Sequence, residues 1–403
     1  MIHKAISLLL FCLLAVAIFD PADRIVHMKV PLFAAVWALT AVNYCLRRCP
    51  PTVPLSLLIY LIGFSFLIPL WSIYWYFSQN GQTGALHGYD GFQYLKAYMF
   101  LTLCIPLVLE KIDLVPMLSI ILTVQAALAS FIYAITSNNP GLSGAVYSLG
   151  FEYGVVLLGD RTYGEAHIHQ VFFTTSALLV IPISYFTFKC IISKGRERFL
   201  CLLLLIVSVT GMLRSGTRNN MIASVVTLLL VWLWYSRRKV VLASSIALLV
   251  VGVASMQWST MHAMLDPTEG SNAAKIGLFR DYTLLLSEPR TLLLGQGLGA
   301  PFNSTMRGFV TISELTYMEL LRSYGVLFGV PMLLALVYPL ERLARYRWKS
   351  VGFLYLGYAM YLYLCTANPF LVSSSGMLVL SIALAQTFSV PQAPRVATRP
   401  AEA

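Results

Sequence analysis

The sequence predicts an all-α polytopic membrane protein with about twelve transmembrane helices, and three observations carry that prediction. Apolar residues fill 58% of the 403 positions and charged residues only 11%, against roughly 45–50% and 25% in a soluble domain. The apolar residues form continuous runs near the roughly 20 residues a helix needs to cross a bilayer, without the period-two alternation of barrel strands. Backbone amides in hydrocarbon must be satisfied within the segment, which leaves helices for runs of this kind.

The runs fall at about 4–19, 30–46, 53–75, 93–109, 114–136, 167–188, 199–213, 219–236, 240–257, 315–339, 350–366 and 373–390. The first follows Lys4 as a signal peptide would, but Asp20-Pro21-Ala22 offers no small-residue cleavage site, so it is read as a retained span. With both termini placed in the cytoplasm, every dense basic cluster falls on that side: Arg47-Arg48, Lys189 to Arg198, Arg237-Arg238-Lys239, Arg342 to Lys349, and Arg395 with Arg399. The net charge of +11 then follows from the positive-inside rule, and no nucleic-acid partner is implied. Residues 1–390 form one transmembrane domain with a large periplasmic loop at 258–314 between the ninth and tenth helices, and 391–403 are expected to be a disordered cytoplasmic tail. Seven cysteines lie in apolar runs or at their basic ends, which supports neither a disulfide framework nor a zinc site.

Several polar groups on the outer face are not explained by insertion. Arg214 and Arg218 flank Ser215-Gly216-Thr217 at the outer end of a helical hairpin. Arginine near membrane depth is costly and usually faces protein or water, although snorkelling to the interface is the plain alternative. Further outward-facing candidates are Arg161, Tyr163, Glu165, His167 and His169 before the sixth helix, Arg280 with Asp281, and Glu314, Tyr317, Glu319 and Arg322 at the start of the tenth. A helix beginning near Ser313 would place Glu314 and Tyr317 on one stripe with Arg322 beside it; helix capping by Ser313 and Glu314 is the alternative. His167 and His169 are two apart, which on a helix separates them, so interfacial hydrogen bonding outweighs metal binding. Gly295-Gln296-Gly297-Leu298-Gly299 lacks the Lys-Ser/Thr pair of a phosphate loop and is read as a tight turn. Neither an internal repeat nor mid-span acids support a coupled carrier.

Arginine forks match phosphate oxygens and stay charged, while a carboxylate can take a proton from an attacking hydroxyl. Together at the outer leaflet they fit transfer from a lipid-pyrophosphate donor. Four motifs in order carry a resemblance: Arg214-Ser215-Gly216-Thr217-Arg218-Asn219; Phe279-Arg280-Asp281 ahead of Leu294-Gly295-Gln296-Gly297-Leu298-Gly299; Glu314-Leu315-Thr316-Tyr317-Met318-Glu319-Leu320-Leu321; and Tyr324-Gly325-Val326-Leu327-Phe328-Gly329. Across about 170–340 the chain resembles the superfamily of O-antigen ligases and Wzy polymerases, bacterial membrane glycosyltransferases of the GT-C type.

The resemblance implies an inner-membrane enzyme with its active site facing the periplasm. It would take a glycan from an undecaprenyl-pyrophosphate carrier, with no metal and no cofactor, in contact with membrane lipid and with a chain-length regulator protein as a further partner. Arg218 and Arg280, supported by Arg214, would bind the pyrophosphate. Ligases of the family carry a histidine eleven residues before a glycine; counting back from Gly325 reaches Glu314. That departure favours a polymerase, with Glu314 and Arg280 catalytic and Tyr317, Glu319, Arg322, Arg161 and His167 in acceptor or supporting roles. A ligase acting on lipid A-core and a flippase are the alternatives.

Overall fold

A computed structural model describes residues 2–47, 51–80, 91–163, 166–236, 266–346 and 348–388. The predicted ninth span at 240–257, the Arg237-Arg238-Lys239 cluster, Glu165 and the tail lie outside the described residues. The chain is predominantly helical, and six described helical segments are long and apolar enough to cross a membrane: Ile2–Phe19, Lys29–Leu46, Leu55–Asn80, Gly91–Glu110, Val115–Thr136 and Thr316–Arg345. Shorter apolar helices occupy Ser176–Ile192, Val351–Ala367 and Ser374–Phe388. Large apolar side chains such as Leu55, Ile59, Phe131 and Leu334 are exposed on these helices, as expected where lipid is the solvent.

In chain order the helices are α1 (Ile2–Phe19), α2 (Lys29–Leu46), α3 (Leu55–Ile62), α4 (Ile68–Asn80), α5 (Gly91–Met99), α6 (Cys104–Glu110), α7 (Val115–Thr136) and α8 (Pro140–Tyr153). They continue as α9 (Val180–Ile192), α10 (Gly195–Arg214), α11 (Arg218–Tyr235), α12 (Gly270–Leu286), α13 (Pro289–Leu294), α14 (Thr316–Tyr346), α15 (Trp348–Leu364) and α16 (Ser374–Phe388). A π-helical turn, Gly63–Leu67, joins α3 to α4, and a 3₁₀ turn, Phe100–Leu103, joins α5 to α6. Helix α9 packs against α7, α10, α11 and α15, and α1 packs against α2 and α7.

Two antiparallel hairpins modify the all-α expectation. Strands β1 (Val156–Tyr163) and β2 (Ala166–Phe173) pair over their full length, and β3 (Phe302–Ser304) pairs with β4 (Gly308–Val310). Residues 167–173, expected to open the sixth helix, are therefore strand. The reason is a period-two pattern: Val156 and Leu158 of β1 and Val171 and Phe173 of β2 are buried together against Ala129 of α7, while alternate residues face away. On a strand, positions 167 and 169 share a face, so the helical argument separating the two histidines does not apply.

The polar interval before α14 is itself folded. Gly295 has φ +76° and Gly325 has φ +65°, and each stands where a Cβ would meet the other segment's backbone: 2.5 Å from the Ser323 carbonyl oxygen and 2.3 Å from that of Leu293. This close approach lets Gln296 and Gly297 donate backbone hydrogen bonds to the carbonyls of Arg322 and Ser323 at 2.7 and 3.1 Å. The glycine-rich turn thus docks on the break in α14 at Gly325 through the N–H groups of Gln296 and Gly297.

Candidate functional site

The sharp turn between α10 and α11 builds one wall of a cavity of about 180 Å³. Gly216 has φ +65°, and a Cβ on it would lie 2.4 Å from the Cβ of Gln170, so the turn presses directly on β2. Ser215 fastens the turn, its hydroxyl donating to the Met212 carbonyl at 2.6 Å and accepting from Asn220 at 2.9 Å. Thr217, Arg218 and Asn219 then line the cavity. Helix α11 begins there without a side-chain cap from Thr217, and the positive end of its dipole lies at the wall.

Alternation along the first hairpin supplies a second wall. Leu157 and Arg161 of β1 and Gln170 and Phe172 of β2 line the cavity, on the face opposite the apolar residues that pack on α7. The start of α12 supplies the third, through Ser271 and Lys275, one helical turn apart. Glu314, Ala367 and Asn368 complete the lining, and the Thr316 hydroxyl donates to the Asn368 carbonyl at 2.6 Å, tying these segments together.

The electrostatics are those of an anion site with one carboxylate. Arg161, Arg218 and Lys275 share the wall with Glu314. Arg218 pairs with Glu269 at 2.8 Å, and Glu269 caps α12 by accepting from the Asn272 N–H at 3.1 Å. Burial pushes the Glu269 carboxyl up, but the backbone N–H groups of Ser271 and Asn272 together with Arg218 outweigh it and hold it below the usual range. Burial, followed by the neighbouring cations Arg218 and Arg161, depresses the Lys275 ammonium, while Glu314 and Glu269 oppose that shift. Arg307 pairs with Glu314 from the tip of the second hairpin. Two buried polar atoms on the wall, Gln170 Oε1 and Thr217 Oγ1, have no hydrogen-bond partner among the described residues. Buried polar atoms are rarely left so, and a polar ligand in the cavity would satisfy them.

Of the residues picked out by sequence, the structure brings Arg161, Arg218 and Glu314 together and leaves the others elsewhere. Arg280 is exposed; it lies five residues beyond Lys275, about 140° around the same helix. The pyrophosphate-binding and catalytic roles expected of Arg280 therefore do not fit its position, and Lys275 is the cation that α12 presents. Arg214 stacks on the Tyr133 ring, 3.6 Å from its centroid, and does not line the cavity. Glu314 precedes α14, so it shares no helical stripe with Tyr317; the Tyr317 hydroxyl donates to the Leu362 carbonyl at 2.5 Å. Glu319 and Arg322 are buried and paired with each other. Arg322 also donates to Gln296 Oε1 and the Ala300 carbonyl, both at 2.9 Å, and Tyr282 donates to Glu319 at 2.6 Å. That network clamps the glycine-rich turn and is apart from the cavity.

His167 lies in β2 opposite Thr162; its side chain and that of Tyr163 are outside the described part. His169 bonds Asp160 at 2.7 Å and Thr136 at 3.0 Å on the other face of the hairpin. Asp281 holds Ser304 and Thr305. Sequence reading passed over Lys275, Gln170, Ser271 and Asn368. The only signal for Lys275 was its membership of the polar interval, and its i,i+4 spacing from Ser271 acquires meaning only once α12 is seen to start at Gly270. The chain matches no family model and no curated protein in comparisons with known proteins.

Proposed function

We propose that the chain is a polysaccharide polymerase of the bacterial inner membrane, joining repeat units carried on undecaprenyl pyrophosphate at the periplasmic face. The single observation that carries the reading is the convergence of Arg161, Arg218 and Lys275 with Glu314 on one cavity at the start of α11. The topology that goes with it has both termini in the cytoplasm. The six long helices and three shorter apolar ones, with α10, α11 and the predicted span at 240–257, account for about twelve crossings.

In this reading the donor's pyrophosphate lies against Arg161, Arg218, Lys275 and the N–H groups of α11, which match anionic oxygens in charge and direction. Glu314 takes the proton from the acceptor sugar hydroxyl, held in orientation by Arg307. The acceptor oxygen forms a bond to the donor's anomeric carbon while the bond from that carbon to the pyrophosphate oxygen breaks. The electron pair leaves with the lipid pyrophosphate, whose growing charge the three cations stabilise. Fixed charges so placed are worth about 3 kcal/mol each in other enzymes. Gln170 and Thr217 would bond the sugar or phosphate oxygens, which supports a polar occupant for the cavity.

Chain-length analysis of surface polysaccharide in cells making Arg218→Gln or Glu314→Gln at normal protein levels tests this. Single-repeat products are expected in both. Polymer of normal length left on the lipid carrier would point to a ligase instead, and wild-type ladders in both variants would overturn the site.

A further inference from the structure

A second cationic cavity lies on the same face, between the α1–α2 turn, α5 and the segment entering α16. It measures about 330 Å³ and its lining includes Asp23, Arg24, Lys29, Lys96, Ser373 and Ser374. Lys29 opens α2 and is only 1% exposed. Its ammonium donates to the Pro21 carbonyl and, at 3.1 Å, to the Ser374 hydroxyl; an ammonium has three donors, so one has no protein acceptor among the described residues. Asp23 stands 3.6 Å from Lys96. Asp20 accepts from the backbone N–H groups of Arg24, Ile25 and Val26 at 2.9, 2.9 and 2.8 Å and also acts electrostatically on Lys29. Three cations, Arg24, Lys29 and Lys96, therefore outnumber two carboxylates, Asp23 and Asp20. A nearly buried lysine in such surroundings is costly unless an anion joins it.

A separate apolar groove of about 340 Å³ lies further along α2, lined by residues that include Phe33, Trp37, Leu61, Met99, Thr102 and Ile105. Helices α2 and α5 contribute to the lining of both features. Lys29, Phe33 and Trp37 follow one another at intervals of four on a single face of α2, and Trp37 lies about 12 Å deeper than Lys29 along the helix. On the facing wall, Lys96 of α5 lines the cavity and Met99 the groove, while Phe100 lines the cavity with its ring 5.2 Å from that of Phe33. A cationic chamber with an apolar groove farther along the same helix face is complementary to a phosphorylated lipid: an anionic head and a single hydrocarbon chain.

We propose that this is a second lipid-pyrophosphate site, which holds the carrier of the acceptor unit with its pyrophosphate at Lys29 and Lys96 and its first isoprene units along Phe33 and Trp37. The proposal rests on the polymerase reading, in which two lipid-linked units must be bound at once. The spacing suits it, since Asn368 lines the first cavity and Ser373 the second, a stretch that spans no more than about 20 Å when extended.

Native mass spectrometry of the purified protein in detergent with undecaprenyl pyrophosphate tests the site without requiring turnover. Two bound copies are expected for the wild type and one for Lys96→Glu, whose side chain is half-exposed and replaceable without disturbing the core. Arg218→Gln is expected to lose the other copy. Met99→Trp, which narrows the groove, should weaken the second copy at least tenfold while leaving competition by inorganic pyrophosphate unchanged. Two copies persisting in Lys96→Glu, or displacement of the second copy by an equal concentration of phosphatidylglycerol, would overturn the second site. A single copy that only Arg218→Gln removes would overturn it and leave the polymerase reading standing, whereas no bound copy would overturn both.

Discussion

Replacing Lys275 with methionine separates binding from folding more cleanly than any other change at the candidate site. Lys275 is half-buried and shares its cavity with Arg161 and Arg218, and burial together with those cations depresses its ammonium. A lysine whose pKa is lowered by folding is charged more readily in the unfolded chain, so below that lowered pKa its charge works against the native state. The sign follows directly: the penalty is fully present below the folded pKa and fades as pH rises through it towards 10.5. Lys275→Met keeps the length of the side chain and removes the charge, so Tm should stay level or rise. Transfer should fall sharply, because one fixed cation on a leaving pyrophosphate is worth about 3 kcal/mol, or roughly 10²-fold in rate. Thermal unfolding in detergent and a transfer assay with a lipid-pyrophosphate-linked oligosaccharide measure the two quantities on one preparation. A variant with lowered Tm and undiminished transfer would refute the argument, since it would make Lys275 a structural group.

Arg280→Gln, on the exposed side of α12, should change transfer by less than about twofold, against the large loss for Lys275→Met in the same assay. Gly216→Ala places a Cβ against Gln170 at a positive φ and should cost about 1–3 kcal/mol, read as a lowered Tm; an unchanged Tm would mean that the turn does not press on β2. Arg322→Met leaves Glu319 buried without its partner and should cost about 3–5 kcal/mol, with the Glu319→Gln/Arg322→Met double variant recovering part of it; equal Tm losses in both would refute that pairing. Pyrophosphate binding measured by calorimetry should weaken as alkaline pH deprotonates Lys275, at a lower pH than an ordinary lysine, and Lys275→Arg should carry the falling limb to higher pH.

Much of the helical framework was legible because hydrocarbon imposes a simple rule on the backbone, and apolar runs of the required length follow from it. The runs at 4–19, 30–46 and 114–136 correspond to α1, α2 and α7 with ends shifted by a residue or two. The rule failed at 167–173, where an apolar run serves a strand. A mean over a window does not distinguish period two from period 3.6 when the residues facing the cavity, such as Phe172, are themselves apolar.

By itself the sequence determined that this is a helical membrane protein, that its polar groups collect beside an interrupted set of apolar runs, and that Arg218 and Glu314 stand out among them. Only the tertiary structure decided which charges share a cavity. Arg280 and Lys275 are equally polar members of one loop, and the rotation of α12 turns the second inward and the first outward. Glu319 and Arg322 look as functional as Glu314 until the docking of Gly295 on Gly325 encloses them in an internal clamp. The physical reason is that burial and direction belong to packing between distant segments, and single-chain spacing reports only which residues share a face of their own element.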